Sequence, residues 1–296
     1  MARLTAADFD QELLILFDAY VHGDLDRRGF LDRAGKFAVG GMTAAGLLAA
    51  LSPNFAAAQV VPKDDPRLTT ELVAVPSPSG YGSLMAYVAK PAGATGKLPS
   101  VLVIHENRGL NPHIEDITRR IALDGYLAMA PDALAPLGGY PGDEDKARAL
   151  FATLDQSKTR QDMLASAKAL MGRADSTGRV GVVGFCYGGG IAHMLSTQMP
   201  NLAAAVPYYG NHPPAEDAAK VKAPLQIHFA AMDDRINNAW PAYEAALKAA
   251  GARYVAHQYP GTQHGFNNDT TPRFDAAAAE LSWGRTMAFF KEHVKG

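Results

Sequence analysis

The chain of 296 residues holds a single cysteine, Cys186. One thiol cannot close an intrachain disulfide, so no oxidative framework supports this fold, which leaves export open. Basic runs are missing as well: Lys and Arg number 28 against 30 Asp and Glu, for a net charge of −2. Nucleic acid is therefore not an expected partner, because a phosphate backbone is held by clustered cations. The uncharged stretch from Phe37 to Pro62 is too short and too rich in Gly and Ala for a transmembrane helix. No internal repeat appears. His105, Glu106 and His113 do not form HExxH, and neither Cys186 nor His264 has a ligand companion close in sequence, so no metal is expected. GFCYGGG carries cysteine where a dinucleotide fingerprint needs its second glycine. No cofactor is expected either.

What is present is an ordinary globular composition, 48% hydrophobic and 20% charged. The length suffices for one large core with an appendage. Residues 1–62 differ from the rest. Thr5–Val21 predicts an amphipathic helix, with Phe9, Leu13, Leu16, Phe17 and Tyr20 at helical spacing. Then Arg27-Arg28-Gly29-Phe30-Leu31 resembles the core of a twin-arginine export signal. FAVGGMTAAGLLAAL stands as its apolar region, and Ala56-Ala57-Ala58 as its cleavage site. Two features depart from that pattern: a helix precedes the arginine pair, and Asp32 stands where a basic residue is preferred. Two readings of residues 1–62 follow. One is an export signal, with the twin-arginine machinery as partner and a periplasmic destination. The other is a helical arm packed on the body or on a second copy in a homo-oligomer, in a cytoplasmic protein.

Residues 63–296 alternate strands and helices. Strands are expected at Thr69–Val75, Leu84–Ala89, Val101–Ile104, Tyr126–Met129, Val180–Phe185, Ala203–Tyr208, Leu225–Phe229 and Tyr254–Gln258. Helical patterns fall between them and at Arg273–His293, which predicts one α/β domain: a mostly parallel central sheet with helices on both faces. Ligands in such sheets sit beyond the strand C-termini. After VGVVGF comes Cys186, then YGGG and a helix. That is the strand–turn–helix layout of a nucleophile elbow, with cysteine in place of serine. The competing reading is a small buried thiol. Gly184 and Gly188 fit the elbow, where a Cβ would crowd the turn, and the helix N-terminus favours a thiolate. After LQIHFA come Asp233 and Asp234, which compete to orient a histidine. The loop past the last strand carries His264, placed where an elbow enzyme needs its base. After VLVI, Glu106 is either functional or neutralised by Arg108, and His105 reads as a packing residue. The segment DALAPLGGYPGDED, with Tyr140, reads as loop over the pocket mouth.

HENRG at 105–109, GFCYGG at 184–189, AAMDDRI at 230–236 and QHGF at 263–266 together resemble the dienelactone hydrolase family. This branch of the α/β hydrolases opens enol lactones, and the resemblance runs from about Thr69 to Val294. It implies Cys186 as nucleophile, His264 as base, Asp233 as orienting acid and Glu106 as a partner in generating thiolate. The backbone N–H groups of Tyr187 and Asn107 would be the oxyanion donors. Family members also hold the substrate carboxylate with arginines; here GFNNDTTPR follows His264, leaving Arg108 or Arg273 to substitute, with Tyr140 as a further lining residue. The expected substrate is a small ester or lactone, cleaved through a thioester. A broader carboxylesterase or thioesterase with the same triad is the alternative, and a non-catalytic binding or oligomerisation scaffold is the alternative of another class.

Overall fold

The computed structural model describes residues 4–39 and 42–295. Eight strands form one sheet: β1 (Leu68–Ser77), β2 (Gly82–Pro91), β3 (Leu98–Ile104), β4 (Leu127–Pro131), β5 (Ser176–Phe185), β6 (Ala204–Tyr208), β7 (Leu225–Met232) and β8 (Tyr254–Gln263). Their order is β1-β2-β4-β3-β5-β6-β7-β8, and only the β1–β2 and β2–β4 pairings are antiparallel. This is the α/β-hydrolase arrangement. The central strands β3, β5 and β6 are buried on both faces, as their continuous apolar runs require. On one face Leu102, Ile104, Val180 and Val182 pack with Met163, Leu195 and Leu247; on the other Val101, Val103, Val183 and Phe185 pack with Ile117, Ile121 and Phe290.

The helices are α1 (Gln11–His22), α2 (Arg27–Ala34), α3 (Ala44–Leu51), α4 (Phe55–Ala58), α5 (Pro112–Leu123), α6 (Glu144–Ala152), α7 (Gln156–Gly172), α8 (Tyr187–Gln198), α9 (Asp234–Asn237), α10 (Trp240–Ala249) and α11 (Ala276–Phe290). Among the described residues no helix is long and apolar enough to cross a membrane. Among the boundaries that differ from expectation, two helix starts have a local cause in a capping aspartate. The helix expected over Thr5–Val21 breaks after Asp8, because Asp10 caps α1 by accepting from Glu12 N at 2.8 Å. The last helix starts at Ala276 rather than Arg273, where Asp275 accepts from Ala278 N at 2.9 Å.

Helices α1 to α3 build a small core of their own from Leu13, Phe17, Tyr20, Phe30, Leu47 and Leu51. Arg27 and Arg28 open α2, whose N-cap Asp26 accepts from Gly29 N at 2.7 Å. The FAVGG stretch is described only in part, since Gly40 and Gly41 lie outside the described residues. The arm joins the body through polar contacts. Asn54 N donates to Thr270 O at 2.8 Å, Val61 N to Asp116 Oδ1 at 2.8 Å, and Arg27 Nη1 to Asp145 Oδ2 at 2.7 Å. Tyr20 donates its hydroxyl proton to Asp145 beside it. These contacts lay α1 across the C-terminal ends of the parallel strands.

Candidate active site

Strand β5 ends at Phe185 and α8 begins at Tyr187, so Cys186 alone makes the turn. It does so at φ 55° and ψ −112°, in a region costly for a residue with a side chain. The turn is this tight because its flanks carry no Cβ. One added at Gly184 would stand 1.9 Å from Gly188 O, and one at Gly188 would stand 2.3 Å from Ile104 O. The strained elbow lifts the Cys186 side chain out of the core at the first turn of α8, where free N–H groups and the helix dipole favour negative charge.

His264 follows directly on β8, which runs five residues beyond the expected Gln258. Its Nδ1 meets Asp233 Oδ2 at 2.6 Å, with both side chains buried. That bond leaves Nε2 as the nitrogen facing the elbow, and it has no hydrogen-bond partner among the described residues. Asp233 thus takes the place that Asp234 could have filled; Asp234 begins α9 instead. Burial would push the Cys186 thiol up, but charge on His264 and His22 outweighs it and brings the thiol down to about 5. Burial also opposes charge on His264, yet the thiolate and the Asp233 hydrogen bond raise that imidazole to about 10.

His22, at the C-terminal end of α1, is the residue that sequence reasoning missed. Its Nε2 lies 3.4 Å from Cys186 Sγ, across 164 positions of chain. Its Nδ1 is 2.8 Å from the Asp18 carbonyl and 3.3 Å from Asp18 Oδ2. Burial disfavours its charge, but the thiolate and Asp18 raise its affinity for a proton. Asp18 in turn accepts from Arg273 Nη1 at 3.0 Å. Burial works against the Asp18 charge too, and His22, His264 and Arg273 together hold it well below the usual carboxylate range. The ligand atoms of His22, Cys186 and His264 lie within 4.8 Å of one another. A thiolate with two imidazoles is a donor set that suits a soft divalent ion such as zinc. Close spacing in sequence could not reveal it.

The remaining expected residues fall around the same cavity. Glu106 lines it, and its Oε2 accepts from Asn268 Nδ2 at 2.8 Å. Asn268 therefore has a task of its own where the family pattern expects an arginine nearby. Arg108 and Arg273 also line the cavity, but both are engaged by the arm. Arg108 Nη1 donates to Val21 O at 3.2 Å and to Asn107 Oδ1 at 2.6 Å, while its Nε lies 3.6 Å from Glu144 Oε2. Its nearest carboxylate is thus Glu144 rather than Glu106. Tyr140 stands behind that carboxylate, its hydroxyl donating to Glu144 Oε1 at 2.8 Å. The side-chain amide of Asn107 donates to Val21 O at 2.9 Å, and Tyr187 is the first residue of α8. His105 is fully buried and its Nε2 accepts from Ala133 N at 3.1 Å, a packing role.

The chain is similar to known proteins. Residues 84–294 match the family model described as dienelactone hydrolase family. The chain belongs to the dienelactone hydrolase family. A "Putative carboxymethylenebutenolidase" of Escherichia coli K12 is 33% identical over 252 residues, covering 80% of this chain and 92% of that one. A "Putative hydrolase fragment YghX" of the same strain is 51% identical over 114 residues, 38% of this chain and 97% of its own length. Among solved structures, a "Putative Dienelactone Hydrolase" of Klebsiella pneumoniae superposes with TM-score 0.65 at 28% identity, over 76% of this chain and 99% of that one. Residues 1–38 match a separate model described as YqhI-like. The family and the clustered side chains together make this dienelactone hydrolase relative an ester hydrolase with a cysteine-based catalytic centre.

Proposed function

We propose that the enzyme opens enol lactones by covalent catalysis at Cys186, and the observation that carries this reading is the thiol at the strained elbow facing the His264–Asp233 pair. The Sγ thiolate attacks the carbonyl carbon. The tetrahedral oxygen is met by the backbone N–H groups of Tyr187 and Asn107; losing one such donor typically costs about 3 kcal/mol of transition-state stabilisation. Collapse releases the enolate and leaves a thioester on Cys186. His264, fixed in one tautomer by Asp233, then takes a proton from water, whose oxygen displaces the thiolate. Once the thiolate is consumed, the charge that holds a proton on His264 is gone, the imidazole gives that proton to solvent, and its Nε2 is free to act as base. Glu106, which lines the same cavity, is the carboxylate partner of the thiol that the family resemblance implies, a base for whatever fraction of the site holds the sulfur protonated. An enolate leaves more readily than an alkoxide, which suits a thiolate nucleophile.

A second reading, hydrolysis of simple acyl esters, is favoured by the state of the arginines. Arg108 is turned to Val21 O and Arg273 to Asp18, so each spends donors on the arm that a substrate carboxylate would otherwise take. Initial rates on cis-dienelactone and on p-nitrophenyl acetate, for wild type and Cys186→Ala, separate the two. Lactone turnover lost in the variant supports the lactonase, and ester turnover alone supports the broader hydrolase. Full activity of Cys186→Ala on both removes the cysteine mechanism.

We also infer that residues 1–62 stay on the mature enzyme as a folded arm, beside a catalytic domain of residues 63–296. Support comes from the arm's own core, the pairing of Arg27 with Asp145 and the reach of His22 to the thiol. The intact mass of the protein recovered from its native cell tests this: removal after Ala58 would show an export signal instead.

A further inference from the structure

Two histidine–carboxylate pairs face one sulfur. On one side Asp233 holds His264 by Nδ1; on the other Asp18 holds His22 by Nδ1, and both present Nε2 towards Cys186. The two imidazole rings meet edge to face with centroids 4.7 Å apart. They are not equivalent. The His22 nitrogen is the one at hydrogen-bond distance from Sγ, 3.4 Å, while Nε2 of His264 is unpartnered. A single triad uses one imidazole for every proton transfer, and this site has a spare.

We propose that His22, delivered by the N-terminal arm, is a second acid–base catalytic residue that protonates the leaving group, while His264 serves the hydrolytic half-reaction. This rests on Cys186 being the nucleophile. In the resting site the thiolate accepts from the N–H of His22. Its electron pair forms the C–S bond and the carbonyl π pair moves onto oxygen. As that pair returns, the C–O bond breaks and the leaving oxygen takes the proton from His22 Nε2, departing as the neutral alcohol. In the second half His264, which gives its resting proton to solvent once the thiolate is consumed, removes a proton from water at Nε2, the water oxygen bonds the acyl carbon, and the C–S bond breaks to restore the thiolate. His264 keeps the proton it gains, His22 takes one back from solvent, and the cycle closes with one ester and one water consumed. The groups around His22 fit the task. Asp18 on its own helix fixes the ring, while Arg235 on α9 places its Nη2 3.0 Å from the same Nε2 and 3.3 Å from His264 Nδ1, a fixed positive charge that favours release of the proton to the leaving group. Cys186 and His264 face it directly, and Glu106, Arg108, Glu144, Asp145 and Arg273 line the cavity beyond. The consequence is a wider substrate range. An enolate or nitrophenolate leaves unaided, but a plain alkoxide or phenolate needs a proton, and His22 supplies it.

The test is a pair of acetates differing in leaving group, p-nitrophenyl and phenyl, on wild type, His22→Gln, His264→Gln and Cys186→Ala. General-acid contributions run to about 10²-fold or more, so His22→Gln should lose about that factor on phenyl acetate and only a few-fold on p-nitrophenyl acetate. Added imidazole should restore phenyl acetate turnover to His22→Ala. His264→Gln should accumulate the thioester on Cys186 in the intact mass, and His22→Gln should not. Retained nitrophenyl turnover also reports a folded site in the same preparation. Equal losses on both esters, or no loss on either, would overturn the role of His22. Loss of both activities in Cys186→Ala with unchanged His22→Gln kinetics would sink this proposal alone. Undiminished Cys186→Ala would sink the mechanism beneath it.

Discussion

The sheet body and the arm in front of it are built on different terms. The body buries strands on both faces between two layers of helices, with Leu102, Ile104, Val182 and Val183 wholly out of water. The arm buries a modest cluster among three short helices, and α2 and α3 span only eight residues each. Helices that short do not persist alone in water and depend on packing. What joins the two regions is mostly polar: Asn54 to Thr270, Val61 to Asp116, Gln11 to Gln263, Asp18 to Arg273. Yet the arm puts the last residue of α1, His22, against the nucleophile. The more weakly built region therefore shares the reaction centre with the more strongly built one, and each can be damaged separately.

The largest effect is expected on the body side. Asp233→Asn keeps the shape of the site but lets the His264 ring adopt the wrong tautomer, so kcat on p-nitrophenyl acetate should fall by about 10²–10⁴-fold with the melting temperature little changed. Activity within about threefold of wild type would remove Asp233 from the mechanism. Next comes the arm's own core. Phe30 is fully buried against Phe17 and Tyr20, with ring centroids 6.2 and 5.4 Å away. Phe30→Ala should cost about 3–5 kcal/mol, felt by the arm: limited proteolysis should cut before residue 62 while the body melts as before. A body that melts with the arm would show the two regions to be one cooperative unit. The smallest effect is at the rim. Arg27 pairs with Asp145 with side chains 55% and 37% exposed, so Arg27→Ala should change stability by at most about 1 kcal/mol. A larger loss by chemical denaturation would mean that the arginine pair anchors the arm.

The body was far easier to read from sequence than the arm. Each reactive residue of the body follows an apolar run of strand type, and the topology of a parallel sheet brings those run ends to one edge. Cys186, His264 and the Asp233–Asp234 pair could thus be brought together without a structure, the choice of Asp233 resting on the family resemblance. Glu106 was placed at the right edge, but its hydrogen bond from Asn268 was not foreseen, because an asparagine in a loop has no spacing rule. His22 was invisible for a physical reason. At the end of an amphipathic helix, followed by Gly23 in a left-handed turn at φ 90°, a histidine reads as a residue completing a helix dipole. Only the docking of α1 gives it chemistry, and docking through scattered polar contacts leaves no periodic trace. The same difficulty affected Arg27 and Arg28, whose motif resembles an export signal while their surroundings form a folded helix.

The central claim is that Cys186 rests as a thiolate. The most direct test is the rate of its alkylation by iodoacetamide from pH 4 to 9, with the adduct located by peptide mass. A thiol lowered to about 5 carries its charge above that pH and loses it as pH falls through it. The account predicts rapid labelling of Cys186 that is already near its plateau at pH 7 and declines below about pH 5. Labelling that is negligible at pH 7 and rises only above about pH 8, as for an ordinary cysteine, would contradict it.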